Sequence, residues 1–131
     1  MTERLTKLSR SVDGSTVIVT GAASGMGRAT AHLFADEGAK VALIDIDESG
    51  LNRVADEIRT VSDNVLCLVV DLSDRLSVER AVSHVIEHYG GLDILVNNAG
   101  FATPAAIDSE VFERVWSRSL DVMATAQAWA I

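Results

Sequence analysis

Thr20-Gly21-Ala22-Ala23-Ser24-Gly25-Met26-Gly27 follows an apolar run, Thr16 to Thr20, and leads directly into a helical stretch with Met26, Thr30, Leu33 and Phe34 expected on its inner face. A strand-to-helix turn without side-chain bulk lets backbone N–H groups approach an anion, and the helix N-terminus adds about half a positive charge. Gly21 is expected to make the turn, Gly25 to admit a phosphate, and Gly27 to let helix and strand pack closely. A tight turn that binds nothing uses the same residue types, so the loop alone leaves both readings open.

Outward from this loop, short apolar runs alternate with amphipathic stretches. Thr16 to Thr20, Val41 to Asp45, Val65 to Val70 and Leu92 to Asn97 are apolar throughout, as strands covered on both faces should be. Leu51, Val54, Ala55 and Ile58 form one helical stripe, and Val78, Val82, Val85, Ile86 and Tyr89 form another. Asp47 and Asp74 stand where helix N-caps are wanted, and Gly38 and Gly90-Gly91 where helices stop. Asp108 or Ser109 is expected to open a last helix with Val111, Phe112, Val115, Ser119, Val122, Met123 and Ala126 on one side. The fold class is α/β, in the order β-α-β-α-β-α-β-α. With 131 residues and 48% hydrophobic content, one domain is expected, residues 14–131, preceded by an arm over 1–13.

Asp45 closes the second strand, 20 residues after Gly25. A ribose-binding acid belongs there: a carboxylate accepts hydrogen bonds from both ribose hydroxyls and repels a 2′-phosphate, which predicts NAD in preference to NADP. Arg28 would oppose that preference only if it turned toward the ribose. A P-loop requires Lys and Ser/Thr after its last glycine, whereas Arg28-Ala29 follows Gly27, which argues against triphosphate hydrolysis. A domain binding S-adenosylmethionine also combines a glycine loop with an acid ending strand two, so a methyltransferase-like alternative stays open at this point.

The fourth strand ends in Asn97-Asn98-Ala99-Gly100. Together with the glycine spacing of Thr20 to Gly27, this resembles the short-chain dehydrogenase/reductase family from about Val12 onward. The resemblance implies a Rossmann-type doubly wound parallel sheet, here its first four strands in the order 3-2-1-4, and an NAD(P)-dependent oxidoreductase acting on carbonyls or alcohols. It also implies that Gly21, Ser24, Met26 and Gly27 line the pyrophosphate and that Asp45 and Ile46 sit at the adenosine ribose. Asp71-Leu72 would border the adenine, Asn97 would play a structural part in the sheet, and Asn98, Ala99 and Gly100 would run beside the cofactor.

Family members use a Tyr and a Lys four residues later, with a Ser one strand earlier. Here the single tyrosine, Tyr89, is followed four residues on by Asp93, and the only lysines are Lys7 and Lys40. Ser119 stands where the family has a further Asn. No catalytic residue is therefore assigned; the chain is expected to be the cofactor-binding half, truncated before strand five and inactive alone. A non-catalytic dinucleotide-binding or dimerising module is the alternative. The fourth strand would then be a sheet edge, and the last helix, with Trp116, Met123 and Trp129, an incompletely covered face, so self-association or a homo-oligomer is expected.

Nineteen acidic against eleven basic residues give a formal charge of −8, which argues against nucleic acid or an anionic membrane as partner. The opening segment has no signal-like apolar core and no stretch is long enough to span a membrane. The single Cys67, within an apolar run, is expected to be a small buried hydrophobe in a cytoplasmic protein. His84 and His88 share a helix face away from its core stripe, and with no third ligand no metal site is expected.

Overall fold

The computed structural model describes residues 10–101 and 103–131. Most of the expected arm, 1–9, lies outside the described residues; Val12, near its end, packs on the core. Four parallel strands, β1 (Thr16–Thr20), β2 (Lys40–Asp45), β3 (Val65–Val69) and β4 (Ile94–Val96), form one sheet in the order β3-β2-β1-β4. The register sets Val17 beside both Val41 and Ile94, and Val41 beside Val65. Helices α1 (Gly25–Asp36), α2 (Glu48–Arg59) and α3 (Arg75–Tyr89) connect the strands. After β4 come α4 (Phe112–Leu120), a π-helical turn (Asp121–Thr125) and α5 (Ala126–Trp129).

Alternate side chains of a strand point to opposite faces, so β1 and β2 feed two cores. Val17, Val19, Val41 and Leu43 pack on one face with Ala31 and Ala35 of α1 and with Leu51, Val54, Ala55 and Ile58 of α2. Ile18, Ala42 and Ile44 pack on the other with Val78, Ala81 and Val85 of α3 and with Ala130. All of β1 is buried, whereas β3 and β4, each paired on one side, are only partly covered. Cys67 accordingly is half-buried on β3 rather than sealed in, its Sγ 3.7 Å from the Leu51 carbonyl, and partial burial pushes its thiol pKa up.

Three local expectations need correction. The inner face of α1 is Gly27, Ala31 and Ala35, while Met26 and Leu33 are 78% and 61% exposed. At its start the helix runs so close to β1 that only small residues fit between them, and Met26 and Leu33 turn outward, whereas Phe34, as expected, packs against the core. Asp108 and Ser109 do not open the last helix: the Ser109 N–H donates to Ala106 and the Phe112 N–H to Ser109 in successive turns, so α4 begins at Phe112. Nor does that helix run on regularly, because at its π turn the Ala126 N–H reaches back to the Asp121 carbonyl. A π turn advances the chain by one residue, which re-aims everything after it.

Candidate functional site

The glycine loop and the end of β4 are joined by a compact polar knot. The Thr20 hydroxyl accepts from the Asn98 and Ala99 N–H groups, each at 3.0 Å, and donates to the Val96 carbonyl at 3.3 Å. The Asn98 amide donates to the carbonyls of Thr20 and Gly21 at 3.2 and 3.3 Å. Asn98, rather than Asn97, thus has the structural role. Asn97 is exposed, because β4 ends at Val96 and leaves it outside the ladder.

This knot explains two glycines. A Cβ on Gly27 would stand 2.0 Å from the Gly21 carbonyl oxygen and 2.6 Å from Asn98 Nδ2. A Cβ on Gly21, whose φ is +65°, would stand 2.8 Å from the Ala99 Cα. Beside Gly25 there is only open space, at the exposed start of α1 with Ser24 and Met26. Ser24 adopts an extended N-cap backbone but makes no side-chain capping bond, and the first turn of α1 has no acid. The leading amides of α1 have no acceptor within the helix, and no side chain caps them.

Beside the loop lies a cleft of about 160 Å³. Gly21 lines it from the glycine loop, and Asp45 and Ile46 from the end of β2. Val70, Asp71 and Leu72 follow β3, Ala99, Gly100 and Phe101 follow β4, and α4 and the π turn add Arg118 and Val122. Seven of the twelve sequence-predicted residues therefore share this cleft: Gly21, Asp45, Ile46, Asp71, Leu72, Ala99 and Gly100. Ser24, Gly25 and Met26 sit at the neighbouring helix start, and Gly27 and Asn98 stand behind the loop as its supports. Sequence reasoning missed Val70, Phe101, Arg118 and Val122, since no local pattern shows that α4 and the π turn after it lie against the ends of β3 and β4.

The acids are pre-set. Asp45 Oδ2 accepts from the Ala23 N–H at 3.0 Å and Oδ1 from the Asp47 N–H at 3.1 Å, so it ties the loop to the end of β2 while lining the cleft. Asp71 Oδ1 accepts from the Ser73 hydroxyl and N–H at 2.7 and 3.0 Å, and the hydroxyl above all holds the Asp71 carboxyl below the usual carboxylate range. Tyr89 is distant from this chemistry: its ring is packed with the second core, its hydroxyl is buried, and burial raises its pKa.

An uncapped helix start beside two fixed carboxylates fits a diphosphate joined to a ribose. The family profile described as short chain dehydrogenase matches residues 15–131. The chain belongs to the short-chain dehydrogenase family. It is 36% identical over 122 residues to 17-beta-hydroxysteroid dehydrogenase 13 of Mus musculus, covering 93% of this chain and 40% of that protein. To the 3-oxoacyl-[acyl-carrier-protein] reductase FabG of Thermotoga maritima it is 36% identical over 111 residues, covering 85% of this chain and 45% of that one. The crystal structure of a 3-ketoacyl-(acyl-carrier-protein) reductase from Brucella melitensis complexed with NADH superposes with a TM-score of 0.82 at 35% identity, covering 92% of this chain and 48% of the reductase. A blue fluorescent protein from a metagenomic library, in complex with NADPH, gives a TM-score of 0.85 at 26% identity, covering 93% of this chain and 50% of that one. This short-chain dehydrogenase chain therefore spans half or less of the relatives it matches.

Proposed function

We propose that this chain is the cofactor-binding half of an NAD(P)-dependent oxidoreductase that moves hydride between a nicotinamide dinucleotide and a carbonyl or alcohol, with residues 14–131 as the binding unit. The observation that carries the reading is the uncapped α1 terminus set beside the Asp45–Asp71 cleft. In this reading the amides of Ser24, Gly25 and Met26 receive the diphosphate, with Gly21 and Gly27 allowing its close approach. Asp45 and Ile46 hold the adenosine ribose, Asp71 and Leu72 border the base, and Ala99 and Gly100 flank the cofactor beyond it. When bound, the nicotinamide supplies the hydride chemistry; the residues of this chain bind and orient.

NAD is the preferred form, because the Asp45 carboxylate repels a 2′-phosphate. The nearby cation does not oppose this: Arg28 is engaged by Glu57, Nε and Nη2 each at 2.9 Å, and His32 shares the same carboxylate at 2.8 Å. Without a Tyr-x-x-x-Lys pair, these 131 residues alone are not expected to turn over substrate. Among the described residues no helix is long and apolar enough to cross a membrane. A cytoplasmic location is part of the proposal, supported by the single cysteine within an apolar run. Trp116 and Leu120 are 56% and 44% exposed on α4, the surface through which, with the β4 edge, we expect self-association.

Calorimetry and melting with NADH and NADPH test the reading. NADH should raise the melting temperature and bind more tightly than NADPH, and Asp45→Asn should weaken NADH about tenfold while narrowing the preference, as loss of a charged hydrogen-bond acceptor does. An unchanged melting temperature at saturating NADH would overturn it. NADH-linked carbonyl reduction by the purified chain would overturn the expectation of inactivity, and a clean monomer in light scattering at high concentration would overturn the self-association.

A further inference from the structure

Arg118 enters the cleft from the end of α4, where it meets two groups at once. Its Nη2 lies 4.0 Å from Asp71 Oδ2, and its guanidinium carbon lies 5.9 Å from the centre of the Phe101 ring. All three residues line the cleft, in which Arg118 is the one cation among the described lining residues, facing two carboxylates. Asp71 is oriented for this: Ser73 holds Oδ1, and Oδ2 is left toward the arginine.

The fold has little use for the arrangement. An ion pair at 4.0 Å with side chains 51% and 41% exposed is beyond hydrogen-bond reach and adds little to stability. A guanidinium, however, is planar, weakly hydrated and suited to stacking on π systems, and here the ring on one side and the carboxylate on the other keep it at the cleft. In a chain of net charge −8, the cleft carboxylates would by themselves repel an anionic dinucleotide, and Arg118 offsets that repulsion at the end where Asp71 stands.

We propose that Arg118 is the binding residue for the purine base of the dinucleotide, offering its flat cationic face to the ring while Phe101 and Asp71 hold it in place. The proposal rests on the dinucleotide-binding reading above and adds a specific anchor to it. The adenosine end then has its own determinant, separate from the ribose acid and from the helix amides.

Titration calorimetry of the full chain with NADH, ADP-ribose and AMP, at low and high salt, tests it with two variants. Arg118→Leu should leave the ligand-free melting temperature unchanged yet weaken all three ligands about tenfold, and flatten the salt dependence of AMP binding. Arg118→Lys keeps the charge without the plane and should recover only part of the affinity. Wild-type affinity for AMP and ADP-ribose in Arg118→Leu, with ADP-ribose still weakened by Asp45→Asn, would overturn the role of Arg118 and leave the site intact. Full recovery in Arg118→Lys would overturn the stacking. Failure of the unmodified chain to bind either NADH or ADP-ribose would overturn the site reading itself.

Discussion

Helices α1, α2 and α3 all begin at the C-terminal edge of the parallel sheet, yet their N-termini are finished differently. Asp47 accepts from the Gly50 N–H at 3.1 Å and Asp74 from the Leu76 N–H at 3.2 Å, so α2 and α3 each satisfy a leading amide internally and place a carboxylate against the dipole. At α1 the equivalent residue is Ser24, which makes no such bond. The same physics that closes two helix starts leaves the third open to an external anion. The open start is also the one reinforced from behind, by Thr20, Asn98 and the close approach of Gly27 to Gly21. In the proposed reading, the α1 terminus gives up its own cap for the diphosphate and gains its rigidity from the neighbouring strand.

Breaking the reinforcement should cost most. Gly27→Ala puts a methyl where the Gly21 oxygen is 2.0 Å away, so backbone must move. Overpacking of this kind destabilises by about 3 kcal/mol, and the denaturant midpoint should fall accordingly, with dinucleotide binding lost even below the transition. Thr20→Val keeps the shape but removes the hydroxyl acceptor of two backbone N–H groups. Leaving them unsatisfied should lower stability by about 2 kcal/mol in urea denaturation.

Filling the open terminus sharpens the comparison in the other direction. Ser24→Asp gives α1 the cap its neighbours have, so the ligand-free protein should gain about 0.5 kcal/mol while NADH affinity drops more than tenfold through repulsion. Calorimetry and melting on one sample would separate the two effects; tighter NADH binding would refute the assignment of this terminus to phosphate.

The smallest effect is the pH response of the closed termini. The Gly50 N–H holds the Asp47 carboxyl below its usual range, and the Ser77 hydroxyl does the same for Asp74. A carboxyl whose pKa is lower in the folded state contributes stability above its unfolded value, about 4, and loses it as pH falls through the folded value. Melting temperature should therefore decline below about pH 4, and the double variant Asp47→Ala, Asp74→Ala should show a shallower decline. An identical acid profile would remove the caps as its cause.

The strands, the α2 stripe and the caps of α2 and α3 were legible because each follows from a local pattern: apolar runs, a 3.6-residue period, an Asp before a helix. The α1 face was legible only at Phe34, which packs on the core; elsewhere the pattern points to large apolar residues, whereas the close approach of helix to strand buries Gly27, Ala31 and Ala35. The structural role lies with Asn98 rather than Asn97 for a similar reason, since where β4 leaves the ladder depends on pairing with β1 and not on its own residues. Arg118 reaches the cleft from α4 and Val122 from the π turn that follows it, through the packing of that segment beside the strand ends, which no periodicity announces.

By itself the sequence determined the α/β alternation and the glycine turn after β1, because hydrophobic period and glycine spacing act over a few residues, while the 3-2-1-4 order was implied by the family resemblance. Only the tertiary structure decided which polar atoms meet there. Asn98 reaches the Thr20 and Gly21 carbonyls across 78 and 77 residues of chain, and Arg118 faces Asp71, in the loop after β3, from α4. Such contacts depend on how closely packed elements approach one another, a distance set by the whole core rather than by any one segment of it.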